Sequence, residues 1–351
     1  MNKKDFLTAA LSGVAMAAIF PGLNIQELGW VCLVPLLAAA HKKEPVQGFM
    51  LASIAGVFFH VALLYWLTVS MTWYGGLPLW LSIPILILFA SLLGLFMGIP
   101  FYVSCYVQKK NGWGFMLTLP FAWIAVEHLK SWFLTGFPWD NLGYSQYQSL
   151  PLIQIADITG VYGISFLLVV ANCTVFSCMQ GFFIRKRLPY NEAIVFLLLL
   201  LLSLWYGHQT RAALKNSPET VPVKIALVQP NIPQDIKWDP AYLALTLEKL
   251  RRLTLASKTE QPAMIVWPES ATPFFYQNEE AYRESVGSTV KEAGAYLLFG
   301  SPSSAVYDGR PLYFNSAFLL SPENEITGKY DKVHLVPYGE YVPFQEFFPF
   351  I

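Results

Sequence analysis

The chain has 351 residues, of which 55% are hydrophobic and only 13% are charged, and its charges cancel to a net charge of zero. Soluble domains carry about 25% charged residues, so this composition, with a mean hydropathy of +0.44, indicates a membrane protein. The sequence contains no dense basic stripe that would neutralise phosphates, which argues against a nucleic-acid partner.

The apolar residues are concentrated in the first part of the chain. Up to Gly207 the sequence is a succession of apolar runs, whereas later residues alternate in polarity like a soluble α/β domain. We therefore divide it into a membrane domain, 1–207, and a second domain, 208–351. A transmembrane helix needs about 20 mostly apolar residues. The runs predict about seven transmembrane helices, near residues 6–21, 26–40, 47–70, 77–106, 113–129, 161–183 and 192–207.

Basic residues lie at alternate ends of these runs, while the loops around 22–25 and 71–76 contain no lysine or arginine. Because cytoplasmic loops are enriched in lysine and arginine, the N-terminus is predicted to be cytoplasmic. Seven crossings then place the second domain outside the cytoplasm, which in a bacterial cell is the periplasm. The basic ends are Lys3-Lys4, His41-Lys42-Lys43, Lys109-Lys110 and Arg185-Lys186-Arg187.

The longest loop of the membrane domain runs from about residue 130 to 160 and is predicted to face the same outer side. Its aromatic residues include Trp139 and Tyr144. Such side chains suit the depth of lipid headgroups. Two interpretations remain open, an interfacial anchor and a wall of the site through which lipids reach the protein.

The second domain reads as alternating strands and helices, which indicates a layered α/β sheet. We expect a buried strand at Val223–Pro230 and a helix from Pro240 to about Ser257. Further strands are expected at Met264–Trp267, Ala295–Gly300 and Asn315–Ser321, and a second helix near Glu279–Ala293.

The four cysteines, Cys32, Cys105, Cys173 and Cys178, all lie in the apolar part, where thiols behave as small hydrophobic groups. They lack the neighbouring Cys and His residues of a zinc site, and no metal is expected.

Two motifs of the second domain carry residues suited to chemistry. Glu269 in V-W-P-E-S follows a short strand, where α/β sheets place ligands, and its apolar neighbours Trp267, Pro268 and Phe274 are expected to enclose it as a general base. Alone, however, it also fits a solvated surface glutamate.

The second motif is Y-D-K-V-H-L-V-P-Y-G-E-Y-V-P, residues 330–343. Lys332 is suited to stabilising an oxyanion, and Glu340, in a turn after Gly339, to holding the lysine or Glu269 in place. Strand alternation would put His334 on the face of Lys332, as a competing base or an orienting group.

These motifs are the basis of a resemblance to a known family. Residues 221–351 resemble the first part of the nitrilase (carbon–nitrogen hydrolase) superfamily, with its glutamate–lysine–cysteine triad. The whole chain is similar to the bacterial apolipoprotein N-acyltransferase family, through T-G-F-P-W, G-Y-S-Q, V-Q-P-N-I-P-Q-D-I-K-W-D, W-P-E, Y-F-N-S-A and K-V-H-L-V-P-Y-G-E-Y-V-P. It implies a polytopic α-helical membrane domain joined to an incomplete αββα nitrilase-like domain outside the cytoplasm.

The resemblance also implies roles for individual residues. Glu269 matches the family's general base, Lys332 its oxyanion-stabilising lysine, Glu340 a supporting glutamate and Trp238 a tryptophan near the active site. The family's cysteine would lie beyond residue 351, so we expect the C-terminal part of the domain to be missing and the chain alone to be inactive.

The implied reaction is acyl transfer through a cysteine thioester, from a membrane phospholipid to the N-terminal diacylglyceryl-cysteine amine of an apolipoprotein. It requires no cofactor. The expected location is the bacterial inner membrane, as a multi-pass protein and a monomer, with Trp139 and Tyr144 among the substrate-binding residues.

Three alternatives remain open. A membrane-anchored amidase or nitrilase would use water in place of the amine. A transporter would give a role to the intramembrane residues His60, Glu127 and His128, because ionisable groups are costly in membranes. The chain could also be an inactive remnant.

Overall fold

The computed structural model describes residues 2–133, 136–186, 188–216, 221–336, 340 and 341, with the backbone alone for Arg185. The chain divides into two compact units, Met1–Pro218 and Glu219–Ile351, which we call the helical unit and the sheet unit.

Helical segments occupy each of the seven apolar runs of the helical unit. Some are broken by short 3-10 or π-helical turns, such as Gln26–Trp30, Ser70–Tyr74 and Leu142–Gln146. The α-helices are α1 (Lys3–Ala17), α2 (Val34–Ala40), α3 (Pro45–Leu63), α4 (Trp66–Val69), α5 (Leu79–Asn111), α6 (Leu119–Lys130), α7 (Leu150–Ile153), α8 (Ala156–Gln180) and α9 (Tyr190–Lys215).

Four helical stretches in the described part of the chain are long and apolar enough to cross a membrane. They are Pro45–Leu63, Leu79–Asn111, Ala156–Ile184 and Tyr190–Lys215, and the apolar stretch Gln26–Ala40 is shorter. Helices α1 and α6 have only 15 and 12 residues. The number of seven spans therefore stays a prediction.

Three of the predicted basic segments meet at one end of the helical unit. The ammonium of Lys43 lies 2.7 Å from Asp5, in the first turn of α1, and that of Lys109 lies 2.7 Å from Glu44. The N-terminus, the connection between α2 and α3, and the C-terminal end of α5 consequently share one end of the bundle.

Helices α3 and α5 pack closely because small residues face each other. A Cβ atom on Gly56 would lie 2.7 Å from the Cα atom of Gly94, which is too close for any side chain. Small residues at a crossing allow membrane helices to approach backbone to backbone.

The second apolar run changes direction between Gln26–Trp30 and α2, and the side chain of Asn172 on α8 holds this turn. Its Oδ1 accepts a hydrogen bond from the Leu33 N–H at 2.8 Å, and its Nδ2 donates to the Gly29 carbonyl at 2.8 Å. The side chain is fully buried, so it satisfies backbone groups that no water reaches.

The sheet unit contains a five-stranded mixed sheet in the order β1-β2-β3-β4-β5. The first three strands are parallel and the last three antiparallel. The strands are β1 (Ile225–Leu227), β2 (Met264–Val266), β3 (Tyr296–Tyr307), β4 (Arg310–Leu320) and β5 (Ile326–Asp331), and helices α10 (Leu243–Ser257) and α11 (Glu280–Ala293) connect the parallel strands.

Both helices pack on one face of the sheet. Their apolar positions join a core with Ile265, Leu297, Phe299 and Phe318 from the strands. The indole N–H of Trp267 donates to Thr254 on α10 at 2.8 Å, which satisfies the one polar atom of this buried side chain.

The burial expected for the strand at Val223–Pro230 is confirmed on one face and wrong on the other. Ile225 and Leu227 are exposed among the described residues, whereas Ala226 packs against the core and Val228 belongs to it. The physical reason is that β1 is an edge strand and α10 and α11 cover only the opposite face, so an apolar run does not imply burial on both faces.

Candidate active site

Glu269 lies just after the carboxyl end of β2, in a turn that rests against β3. The turn is fixed by backbone contacts, in which the Gly300 N–H donates to the Pro268 carbonyl at 3.3 Å and the Thr272 N–H to the Gly300 carbonyl at 3.2 Å. A Cβ atom on Gly300 would lie 2.8 Å from the Glu269 Cα atom. The position of Glu269 thus depends on a glycine in the neighbouring strand.

Lys332 follows the last residue of β5, at the same edge of the sheet. Its backbone N–H donates to the Asn315 carbonyl at 2.9 Å, which extends the pairing of β4 and β5 by one residue. The strand expected over residues 332–334 is absent there, so His334 is not held on the face of Lys332 by strand alternation, and its side chain is exposed.

The structure brings together the three residues predicted from the motifs. The Lys332 Nζ lies 3.1 Å from Glu269 Oε1 and 3.0 Å from Glu340 Oε2. A turn places Glu340, because its N–H donates to the Val336 carbonyl at 2.9 Å and its Oε2 accepts from the Val336 N–H at 2.7 Å. Gly339, the expected turn residue, lies outside the described residues.

Asn315, which was not among the predicted site residues, links the two carboxylates. Its Nδ2 donates to Glu269 Oε1 and to Glu340 Oε1, at 2.6 Å in each case. One amide nitrogen has two hydrogens, so both bonds form at once. The signal was present in the motif Y-F-N-S-A, where Asn315 is the polar residue at the middle.

The electrostatics of the site favour charged side chains. Burial works against the ammonium of Lys332, but its hydrogen bonds to Glu340 and Glu269 outweigh this and raise its pKa. Burial likewise works against the carboxylate of Glu340, but hydrogen bonds from Val336, Asn315 and Lys332 lower its pKa overall. A proton therefore resides on the lysine and not on Glu340.

A second lysine lies beside the general-base candidate. The Lys237 Nζ donates to the backbone carbonyl of Glu269 at 3.3 Å. Burial lowers the pKa of Lys237, and the charge of Glu269 opposes this shift. Two lysines and the carboxylates of Glu269 and Glu340 together give a site of zero net charge.

The expected apolar enclosure of Glu269 is wrong within the described residues. Trp267 and Phe274 are buried in the core between sheet and helices, whereas the Glu269 side chain is 65% exposed. The reason is that β2 ends at Val266, so the period of two that would put Glu269 on the face of Trp267 no longer applies, and Glu269 lies in the turn after the strand.

The predicted substrate-binding residues fall in both units. Trp238 is half-exposed and directly follows Lys237 in the sheet unit. Trp139 and Tyr144 belong to the helical unit and are also half-exposed, and Trp139 stacks on Trp66 with ring centroids 6.4 Å apart. Their binding roles stay predictions.

No group of three or more His, Cys, Asp or Glu residues in the described ranges is arranged to hold a metal ion. All four cysteines belong to the helical unit, with Cys32, Cys105 and Cys173 buried and Cys178 partly buried. The ammonium and two carboxylates at the sheet edge are groups that can transfer protons and stabilise an oxyanion.

Two family models match the chain in succession. Residues 12–174 match the Apolipoprotein N-acyltransferase N-terminal domain, and residues 224–350 match Carbon-nitrogen hydrolase. The sheet unit is thus similar to the class of carbon–nitrogen hydrolases, in agreement with the glutamate–lysine pair at its sheet edge.

Curated relatives are similar over nearly the whole chain. The apolipoprotein N-acyltransferase of Geobacter metallireducens is 40% identical, over 99% of this chain and 67% of the relative. That of Chlorobaculum tepidum is 32% identical, over 99% and 67%, and that of Pseudomonas putida 30% identical, over 97% and 66%. The chain belongs to the apolipoprotein N-acyltransferase family, and it spans about two thirds of the length of these relatives.

Membership confirms the predicted fold class, a helical membrane domain followed by a nitrilase-like domain. It also confirms the resemblance to acyltransferases of the carbon–nitrogen hydrolase superfamily and their function in lipoprotein N-acylation.

Proposed function

We propose that this chain takes part in lipoprotein N-acylation by two successive acyl transfers, with Glu269 as general base and Lys332 as the oxyanion-stabilising group. The observation that carries the proposal is the contact of the Lys332 ammonium with Glu269 and Glu340, at 3.1 and 3.0 Å, on a partly exposed sheet edge. A substrate carbonyl placed at this edge meets both a proton acceptor and a positive charge.

In the first transfer, a cysteine thiol gives its proton to the Glu269 carboxylate and attacks the ester carbonyl of a phospholipid. The negative charge that develops on the carbonyl oxygen is stabilised by Lys332. Collapse breaks the ester C–O bond, and the proton on Glu269 passes to the departing lysophospholipid oxygen, leaving a thioester.

In the second transfer, the amine of a diacylglyceryl-cysteine attacks the thioester carbonyl. Glu269 takes a proton from the amine, the C–S bond breaks, and the thiolate regains that proton. The products are an amide-linked acyl chain and the original thiol. By the resemblance, the family's cysteine lies after residue 351, and its thiol is the nucleophile in this proposal.

Glu340 and Asn315 position the two reacting side chains. Glu340 and Glu269 share the Lys332 ammonium, and the Asn315 amide donates to the Oε1 atom of each carboxylate. Catalytic groups held by several partners lose little freedom in the transition state. Trp238, Trp139 and Tyr144 are proposed to contact the lipid substrates.

The test uses this chain extended with the remaining third of the Geobacter metallireducens relative, a labelled phospholipid and a diacylated lipopeptide. Glu269→Gln and Lys332→Ala should each reduce labelled thioester and labelled product by more than about 100-fold, because each removes a function of the covalent step. The matched controls are Glu260→Gln and Lys224→Ala, from an exposed ion pair of 3.3 Å in the same unit. Near-normal thioester in either site variant would show that the residue is misassigned.

The proposed location is the bacterial inner membrane, with a cytoplasmic N-terminus and the sheet unit in the periplasm. The shared end of Lys43, Asp5, Lys109 and Glu44 supports this, since it collects the basic residues of three segments at one end of the bundle. Reporter fusions after Lys110 and after Asn216 should report opposite sides, and the same side for both would contradict the orientation.

A further inference from the structure

Four ionisable side chains gather inside the helical unit, away from the candidate active site. They are His60 on α3, Glu127 and Lys130 on α6, and Asp140 in the segment after α6, which we call the quartet. All four residues are buried, with no more than 8% of any residue exposed. Ionisable groups are costly in this setting, so their presence calls for a role.

Asp140 connects the quartet. Its Oδ2 lies 2.6 Å from His60 Nε2, and its Oδ1 contacts the Lys130 ammonium. One buried carboxylate thus holds together a residue of α3 and a residue of α6.

The contacts of His60 fix the orientation of its ring. Its Nδ1 lies 2.6 Å from the Gly56 carbonyl, an atom that only accepts hydrogen bonds, so Nδ1 carries a hydrogen. Its Nε2 lies 2.6 Å from Asp140, whose other oxygen contacts the Lys130 ammonium. The ring therefore joins its own helix to the carboxylate at the centre of the quartet.

The contact of Lys130 with Asp140 makes the burial of both groups tolerable. An unpaired charge in an interior costs several kcal/mol, so each of these two side chains stabilises the other in its buried position. The remaining residues that line the adjacent cavity, from α1, α3, α5 and α6, are uncharged.

Glu127 holds the residues that follow Asp140 in the chain. Its Oε1 accepts hydrogen bonds from the Leu142 N–H and the Trp123 indole, each at 2.9 Å. Its Oε2 has no partner among the described protein groups and borders a cavity of about 40 Å³, which has room for water.

The segment that these contacts hold in place carries the aromatic residues Trp139 and Tyr144. Trp139 precedes Asp140, and Tyr144 follows Leu142 by two residues in Leu142–Gln146. Burial, Tyr162 and the charges of Glu127 and Asp140 raise the pKa of Tyr144, so this side chain lies within electrostatic reach of the quartet.

We propose that the quartet is a positioning device that holds Trp139 and Tyr144 for the acyl chains or headgroup of the phospholipid donor. This rests on the substrate-binding role proposed above. His60 is a positioning residue, since it acts through Asp140 and is not placed against a substrate.

The first test is charge compensation, measured as the thermal unfolding midpoint of the purified full chain. Lys130→Met leaves Asp140 without its ammonium and Asp140→Asn leaves Lys130 without its carboxylate, and each should lower the midpoint by roughly 6–20 °C. The double variant removes both charges and should recover at least half of the loss of Asp140→Asn. The control His128→Gln, an exposed residue of the same helix, should shift the midpoint by less than about 2 °C. Summed losses in the double variant would overturn the proposal.

The second test needs no folded variant of the quartet. Nitrogen NMR of the chain labelled at histidine, assigned by replacing the other four histidines, should show a hydrogen on His60 Nδ1, as its contact with the Gly56 carbonyl requires. An Nδ1 without hydrogen would overturn the inference.

The third test measures KM and kcat for the phospholipid donor in the extended chain used for acyl transfer. His60→Gln should raise KM roughly threefold to tenfold at unchanged kcat. An unchanged KM in His60→Gln overturns the positioning role. If Trp139→Ala also leaves KM unchanged, the substrate-binding role fails as well, whereas a raised KM for Trp139→Ala alone locates the failure in the quartet.

Discussion

Asn315 offers the sharpest test of the candidate site, because aspartate has the same shape and exchanges a donor for a negative charge. In the wild type its amide donates to Glu269 and Glu340 at 2.6 Å each. Hydrogen bonds to charged groups are worth about 1.5–3 kcal/mol each when buried. Glu269 is largely exposed and Glu340 is 22% exposed, so we assign the pair about 2 kcal/mol in total.

A loss of about 2 kcal/mol in the transition state corresponds to a roughly 30-fold fall in kcat/KM for Asn315→Ala. Asn315→Asp adds a third carboxylate at a place where two already meet. Two unit charges about 4 Å apart repel by about 4 kcal/mol in a partly solvated site, and the nearby ammonium groups offset part of this. We expect Asn315→Asp to be at least about tenfold worse than Asn315→Ala.

The assay is the rate of thioester formation with labelled phospholipid in the extended chain. Asn278→Asp is the matched control, since this amide contacts only Ser304 at 3.3 Å among the hydrogen bonds of its side chain in the described residues. Equal rates for Asn315→Asp and Asn315→Ala would refute the reasoning, because the amide would then not be bridging two ionised carboxylates.

Two further predictions concern the same edge of the sheet. Gly300→Ala should lower acyl transfer by up to about 100-fold with little change in lipid binding, because its Cβ would displace the turn that bears Glu269, and kcat measured against KM checks this. For Glu340, whose pKa is lowered from 4.5 in the folded protein, the stabilisation is present above pH 4.5 and is lost as the pH falls through the folded pKa. The difference in unfolding midpoint between wild type and Glu340→Gln should therefore be present at pH 7 and disappear in acid; a constant difference would contradict the paired state of Lys332.

Much of the fold could be predicted from the pattern of apolar residues. Apolar runs indicate helices in a membrane, and the helix expected from Pro240 is present as a 3-10 turn at Pro240–Tyr242 that leads into α10. Burial of β1 could not be predicted, because a short apolar strand has the same pattern at the edge and at the centre of a sheet. Helix α9 extends to Lys215, past the apolar residues, since hydrogen bonding within a helix does not stop where hydrophobicity does.

The sequence predicts the three residues Glu269, Lys332 and Glu340 from two motifs, but it does not predict the hydrogen bonds that connect them. Local order places Glu269 at a strand end, but only the pairing of β4 with β5 brings Asn315 beside Lys332. The contact of His60 with Asp140 is equally invisible in the sequence, because it joins residues 80 positions apart and depends on how a loop returns to the bundle.

The turn held by Asn172 has a consequence for how this membrane domain tolerates change. In a soluble loop the free N–H of Leu33 and carbonyl of Gly29 would exchange their bonds with solvent, whereas here a single amide from another helix supplies both. An isosteric Asn172→Leu change leaves the Leu33 N–H unsatisfied in an apolar surrounding and the Gly29 carbonyl with only the weak thiol contact of Cys32 at 3.7 Å, at a cost of several kcal/mol. The direction of the second apolar segment consequently depends on a residue about 140 positions away from the place where the chain bends. Helix α8, although apolar in sequence, supplies through Asn172 the hydrogen bonds that water would supply in a soluble protein.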